Sequence, residues 1–168
     1  MSISMYQASA PRFANTLKNL SAILDKAKTH AAAKKIDEQV LVSSRLFPDM
    51  FALARQVQIA CDTAKSAVGR LAGVEIPKHE DTEKTFDELT ERIAKTLAFI
   101  ATVKPAQVDG TEEKEIVLKL QGKDVPTRGI TYLLGRAWPN FYFHTTTAYN
   151  ILRHNGVELG KGDFIGTP

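Results

Sequence analysis

"PNFYFHTTTAYNILRHNGVELGKGDF", residues 139–164, sets one histidine, His144, in an aromatic and threonine-rich run that opens on Pro139 and closes on Asn155-Gly156. Proline suits the first turn of a helix and glycine the left-handed residue that ends one, so the spacing predicts a helix over about 139–155 followed by a glycine-rich tail. At about 100° per residue, Asn140, Phe141, Thr147, Ala148 and Ile151 share the side of His144, while Tyr142, Thr146, Tyr149 and Arg153 lie opposite. A helix this apolar on more than one side has two packed surfaces. One faces a bundle, and the other takes a hairpin, the tail or a second copy of the chain; small bundles often pair through such faces, and a homodimer is expected.

Working outward, Phe13, Leu17, Leu20, Leu24 and Ala27 recur at helical steps and predict a first helix over about 11–35. Pro48 occupies a natural first helical position, and Met50, Leu53, Val57, Cys61, Ala64, Val68 and Leu71 form a second stripe that Gly73 ends. Phe86, Leu89, Ile93, Leu97 and Ile100 form a third, with acids early, Lys95 and Lys104 late, and Pro105 as its stop. The period then changes. "EIVLKL" and "GITYLL", separated by the turn-prone "QGKDVPTR", read as a short β-hairpin. Without a repeat, a linker or a low-complexity tract, residues 1–168 read as a single all-α domain, an antiparallel four-helix bundle with a hairpin between its third and fourth helices.

Composition narrows the function classes. A chain with 43% hydrophobic and 24% charged residues is an ordinary globular protein. The formal charge of +3 is spread among interleaved acids, which argues against nucleic acid as a partner. No uncharged apolar stretch reaches spanning length and the start lacks an export signal, so no membrane is expected and the cytoplasm is the expected compartment. Cys61 is the sole cysteine, which excludes an intrachain disulfide and a cysteine-based zinc cage.

A helical two-histidine chelate needs ligands three or four residues apart, and around His144 those positions hold Asn140, Phe141, Thr147 and Ala148. His154, ten residues on, is rotated by about 80° and displaced by some 15 Å. His30 and His79 reach His144 only if the fold happens to bring them. A Cys61 nucleophile with His144 as base is the other reactive pairing, but Cys61 falls inside an apolar stripe, where a free cysteine packs as a small hydrophobe. Gln58 and Asp62, on the shoulder of that stripe, together with Thr147, complete a candidate polar pocket around His144. The tail's Lys161 and Asp163 read as surface contacts and Phe164 as packing back onto the bundle.

Three segments carry a family resemblance: "RLFPDMFALARQVQIACDTAKSAVGRLAGVEIP", "DTEKTFDELTERIAKT" and the opening stretch. Together they resemble a bacterial family known only as a domain of unknown function, grouped with the DinB/YfiT-like four-helix bundles. The resemblance implies a four-helix bundle, frequent dimers and, in many members of the wider superfamily, a divalent metal held by three histidines, one from the second helix and two from the fourth. Some such members are thiol transferases or hydrolases. Only His144 matches one of these ligands; the second-helix position falls near Gln58 or Ile59, and the third histidine has no counterpart.

The expectation is therefore a cytosolic bundle without the three-histidine centre and without a cofactor, binding a small molecule near His144. Two alternatives stand beside it. One is a divergent metal-dependent transferase or hydrolase, with zinc, nickel or manganese on His144; the other is a protein-interaction or stress-response module. Whether the chain is an enzyme stays open at this stage.

Overall fold

The computed structural model describes residues 3–166, so residues 1–2 and 167–168 at the ends of the expected domain lie outside the described residues. Four long helices form the bundle: α1 (Ala10–Lys34), α3 (Leu53–Ala72), α4 (Phe86–Thr102) and α7 (Trp138–His154). Short helices α2 (Glu38–Val42), α5 (Pro105–Val108), α6 (Gly129–Tyr132) and α8 (Lys161–Ile165), and a hairpin of β1 (Glu115–Leu120) and β2 (Lys123–Arg128), fill the connections. The three apolar stripes and the Phe141–Ala148–Ile151 face of α7 close on one core, with Leu17, Leu24, Val57, Leu89, Ile93 and Phe141 shielded from solvent.

Side-chain pairs give the directions. Lys28 near the end of α1 meets Asp87 at the start of α4, and Gln56 and Thr63 of α3 meet His144 and Asn140 of α7. Those two pairs are antiparallel. Asp62 of α3 meets Arg92 of α4, and the space beside Gly69 is closed by Phe99, so α3 and α4 run side by side in the same direction. Phe13 stacks edge-on against Phe141 with ring centroids 4.9 Å apart, which sets α1 parallel to α7. The bundle is thus up-down-down-up, and the expected antiparallel packing holds for α1 with α4 and for α3 with α7.

A parallel α3–α4 pair needs a connection that returns the length of α3, about 30 Å. Residues 73–85 do this as an extended strap, since a stretched chain covers about 3.3 Å per residue. Ile76 lies so close over Gly69 that a methyl there would meet its Cγ1 at 2.5 Å. Further along, Asp81 pairs with Arg55, and Glu83 accepts from Gln58 Nε2 at 2.9 Å. Arg92 of α4, 1% exposed, reaches under the strap. Its Nη1 donates to the Glu80 carbonyl and to Glu83 Oε1 at 2.9 Å each, and its Nη2 lies 2.9 Å from both Asp62 and Asp81. Lys65, also buried, meets the same Asp62 oxygen, Oδ1, at 2.9 Å.

The structure corrects three local expectations. Pro48 does not start a helix. It sits second in a turn closed by Met50 N–H to the Phe47 carbonyl, the position for which its fixed φ is suited, and α3 starts at Leu53. The second strand is not "GITYLL" but "KDVPTR", paired with β1 in a register that joins Leu120 to Lys123. Gln121 and Gly122 both have positive φ, 50° and 79°, as a two-residue hairpin turn requires. "GITYLL" instead forms α6 and the start of a π-helical segment, Leu133–Ala137, so the backbone is helical from Gly129 to His154 and α7 starts one residue before Pro139. A proline ring clashes with the carbonyl four residues back, here Gly135, and the wider π turn that contains it makes room.

Truncating Arg92 leaves Asp62, Asp81 and Glu83 facing one another under the strap. Arg92→Ala is expected to lose roughly 2–4 kcal/mol in urea unfolding, below the full cost of breaking a wholly buried pair, because Asp62 and Asp81 each keep 38% of their side-chain surface in water. An unchanged unfolding midpoint would show that the strap is held by other contacts.

Candidate functional site

Gln56 falls three residues after Leu53, inside the apolar stripe of α3, and His144 occupies the matching level of α7, so both polar side chains are carried into the α3–α7 seam and buried there. Such groups need partners. The His144 Nδ1 atom lies 2.7 Å from Gln56 Oε1. The Gln56 amide nitrogen donates to the Phe51 carbonyl at 3.0 Å, which turns its oxygen toward the imidazole. This network assigns the proton of a neutral ring to Nδ1, with the Nε2 lone pair left as an acceptor. Burial, and then the positive charge of Arg55, push the His144 pKa below its ordinary value, so the ring is held neutral. Nε2 has no hydrogen-bond partner among the described residues and is not sealed from solvent.

Two exposed aromatic rings attach to this pair. Phe143, 59% exposed, stands edge-on to His144 with centroids 5.2 Å apart. Phe51, 56% exposed, supplies the carbonyl that holds Gln56 and carries the Arg55 guanidinium over its ring. The result is a neutral imidazole beside the exposed ring of Phe143, able to accept one hydrogen bond.

The other expected pocket residues go elsewhere. Gln58 is two positions from Gln56, about 200° around α3, and faces the strap, where it bonds Glu83. Asp62 likewise faces Arg92 and Lys65. Thr147 is on the His144 side of α7, but its hydroxyl donates back to the Phe143 carbonyl at 2.7 Å. Cys61 is fully buried, and burial pushes its thiol up to about 12, with a Thr96 hydrogen bond pulling the other way; it stays a packed thiol and not a nucleophile.

The histidines do not converge. His30 lies by the start of the tail near Val157 and Glu158, and His79 lies in the strap beside Glu80 and Arg92. Among the described residues, no group of three His, Cys, Asp or Glu side chains is disposed to hold a metal. The donor set at His144, one imidazole and one amide, does not fit the three-histidine centre that the resemblance implies.

The depressed His144 pKa has a sign that can be checked. Above the ordinary histidine value of 6.5 the ring is neutral folded or unfolded. As pH falls below it, the unfolded chain takes up a proton before the folded one does, so stability is lost down through the folded pKa. His144→Gln is expected to flatten the fall in stability of the wild-type protein below about pH 6.5. Identical pH slopes for the two proteins would place the titration in other groups.

The profile of a domain of unknown function, DUF1993, matches residues 5–165. No curated protein sequence matches the chain significantly. Among solved structures, the chain is similar to a DinB family member protein from Shewanella denitrificans, with 47% identity, a TM-score of 0.90 and coverage of 97% of this chain and 92% of that one. With the profile spanning nearly the whole length and that likeness beside it, the chain belongs to the DUF1993 family, a DinB-like group of helical bundles.

Proposed function

We propose that the protein is a cytosolic, single-domain binding protein that lacks the three-histidine metal centre and receives a small uncharged molecule at His144. The observation that carries this reading is the Gln56-locked imidazole, whose Nε2 has no partner among the described residues and whose ring stands edge-on to the exposed Phe143. Such a surface favours a ligand with an apolar or aromatic body and one hydrogen-bond donor.

Phenol has that chemistry and serves as a probe. In ring-nitrogen NMR spectra, saturable movement of the His144 Nε2 signal, with the other three histidines unmoved, supports the reading. Equal movement of all the histidines would show solvent effects only. Metal analysis of protein purified without a histidine tag or chelators is expected to find no stoichiometric metal. A zinc, nickel or manganese ion that is present in stoichiometric amount and vanishes in His144→Ala would instead support the divergent transferase or hydrolase.

A second copy of the chain is the proposed macromolecular partner. Phe47, Phe51 and Phe143 are each more than half exposed, and Tyr142 adjoins Phe143, an apolar exposure unusual for a monomer. A copy packed there would wall the open side of the imidazole and make the small-molecule site part of the interface. On the other side of α7, Tyr149 is already covered by Phe164 of α8, at a centroid distance of 5.9 Å. Light scattering is expected to give twice the 18.5 kDa chain mass, and Phe143→Lys to shift the protein toward monomer. A strict monomer at high concentration would remove the dimer and leave the exposed rings to a different partner.

A further inference from the structure

One helical turn below His144 on α7, a cleft of about 240 Å³ opens between α3, β1 and the π-helical segment. His144, Gln56, Phe51 and Phe143 do not line it, although Asp62 and Asn140 do. Arg70 of α3, Lys119 of β1 and Arg136 of the π segment bring three cations to its walls. Among the described residues, none of the three has an ion-pair partner. Asp62 is the one carboxylate on the wall, and it is already paired with the Arg92 guanidinium and the Lys65 ammonium.

The neutral groups follow the same sign. Tyr132 is buried, and its hydroxyl oxygen accepts from Arg70 Nη1 at 3.1 Å, which leaves its own hydrogen to donate. Thr63 Oγ1 accepts from Asn140 Nδ2 at 2.7 Å and makes none of the back-bonds to its own helix that engage Thr145 and Thr147. Its hydrogen is free in the same way, as is that of Ser66 on the same wall. The cleft therefore offers more donors than free acceptors, the acceptors left being Asn140 Oδ1 and the second carboxylate oxygen of Asp62, and its three cations lack ion-pair partners among the described residues. Leu118 and Ala137 supply a small apolar wall.

We propose that this cleft binds a phosphoryl group, as inorganic phosphate or as the monoester of a molecule with only a few carbons. Guanidinium forks match the oxygens of a tetrahedral dianion in pairs, and a lysine adds a point charge. The volume falls below the ~300–1,000 Å³ of drug-sized sites, which limits the body attached to the phosphoryl group. The π turn has a structural part in this: it carries Arg136 to the cleft mouth, one residue before buried Ala137, and π turns are frequent where a helix serves a site.

The test is a titration of the full chain with inorganic phosphate, followed by amide NMR, with ionic strength held constant by sodium chloride. Saturable shifts confined to residues around Ser66, Lys119 and Arg136 are expected. Affinity should fall about tenfold, equivalent to ~1.4 kcal/mol, in Arg136→Gln and again in Lys119→Gln. Both side chains are exposed and unpaired, so neither change threatens folding. Lys95→Gln on α4, whose amine pairs with Glu91, is the control and should bind as wild type. Malonate separates the anion classes: weaker binding than phosphate supports a phosphoryl site, and equal binding overturns that assignment. The absence of saturable shifts, or equal affinity in the two cleft variants and wild type, overturns the site itself.

Discussion

The burial of Arg92 is the constraint on which the rest of the arrangement turns. Its guanidinium has almost no access to water, yet it must remain charged, so both terminal nitrogens are met by carboxylates or a carbonyl, while Nε is left without a partner among the described residues. Asp62 comes from α3, while Glu80, Asp81 and Glu83 come from the strap. Those partners tie three separate stretches of chain to one point. Because the strap is held there, α4 can start beside the beginning of α3 and run parallel to it, and α7 is left to pack antiparallel on α3 from the other side.

This gives α3 polar work on two opposite faces. Gln56 looks toward α7 and fixes His144, while Gln58 and Asp62 look toward the strap and the Arg92 cluster. Between them, Val57, Cys61, Ala64 and Val68 form the apolar interior. The charge count in the cluster is balanced, with Arg55, Lys65 and Arg92 against Asp62, Asp81 and Glu83. Balance removes the cluster from consideration as an ionic ligand site, although it gathers six ionisable groups. The cleft at Arg70 and Arg136 has the opposite character, with fewer charges and its one carboxylate, Asp62, already engaged by Lys65 and Arg92.

Legibility in the sequence followed how local each decision is. The stripes of α1, α3 and α4 could be read because helical periodicity is a property of neighbouring residues, and Thr85 with Glu88 caps α4 by contacts within one turn. The direction of the helices could not be read, since it depends on Arg92 meeting residues of the strap and of α3. Its signal was present as an arginine three residues after Leu89 and one before Ile93, a charge set within a core stripe. Strand β2 was hidden because "KDVPTR" is polar and exposed, and its pairing rests on the two-residue turn more than on its own propensity. Gln56 was missed for a related reason. The shoulder residues Gln58 and Asp62 drew attention as polar groups at the edge of the stripe, whereas the amide that meets His144 sits inside it.

The fourth helix shows why one histidine need not imply a metal. Consecutive turns of α7 on the His144 side carry Asn140, His144 and Ala148, the spacing at which a chelate would be built. Asn140 instead donates to Thr63 at the edge of the cationic cleft, and Ala148 fills the core. With the flanking positions engaged in hydrogen bonding and packing, the remaining imidazole has no second ligand on its own helix, and the facing helix offers an amide whose oxygen accepts a hydrogen bond from Nδ1–H. That bond fixes the Nδ1–H tautomer of the neutral ring and leaves Nε2 as the acceptor, beside the exposed ring of Phe143. With one imidazole and one amide at this level of the seam, the group presented is a single, fixed acceptor, and a ligand of the kind proposed would be selected by the apolar surface beside it.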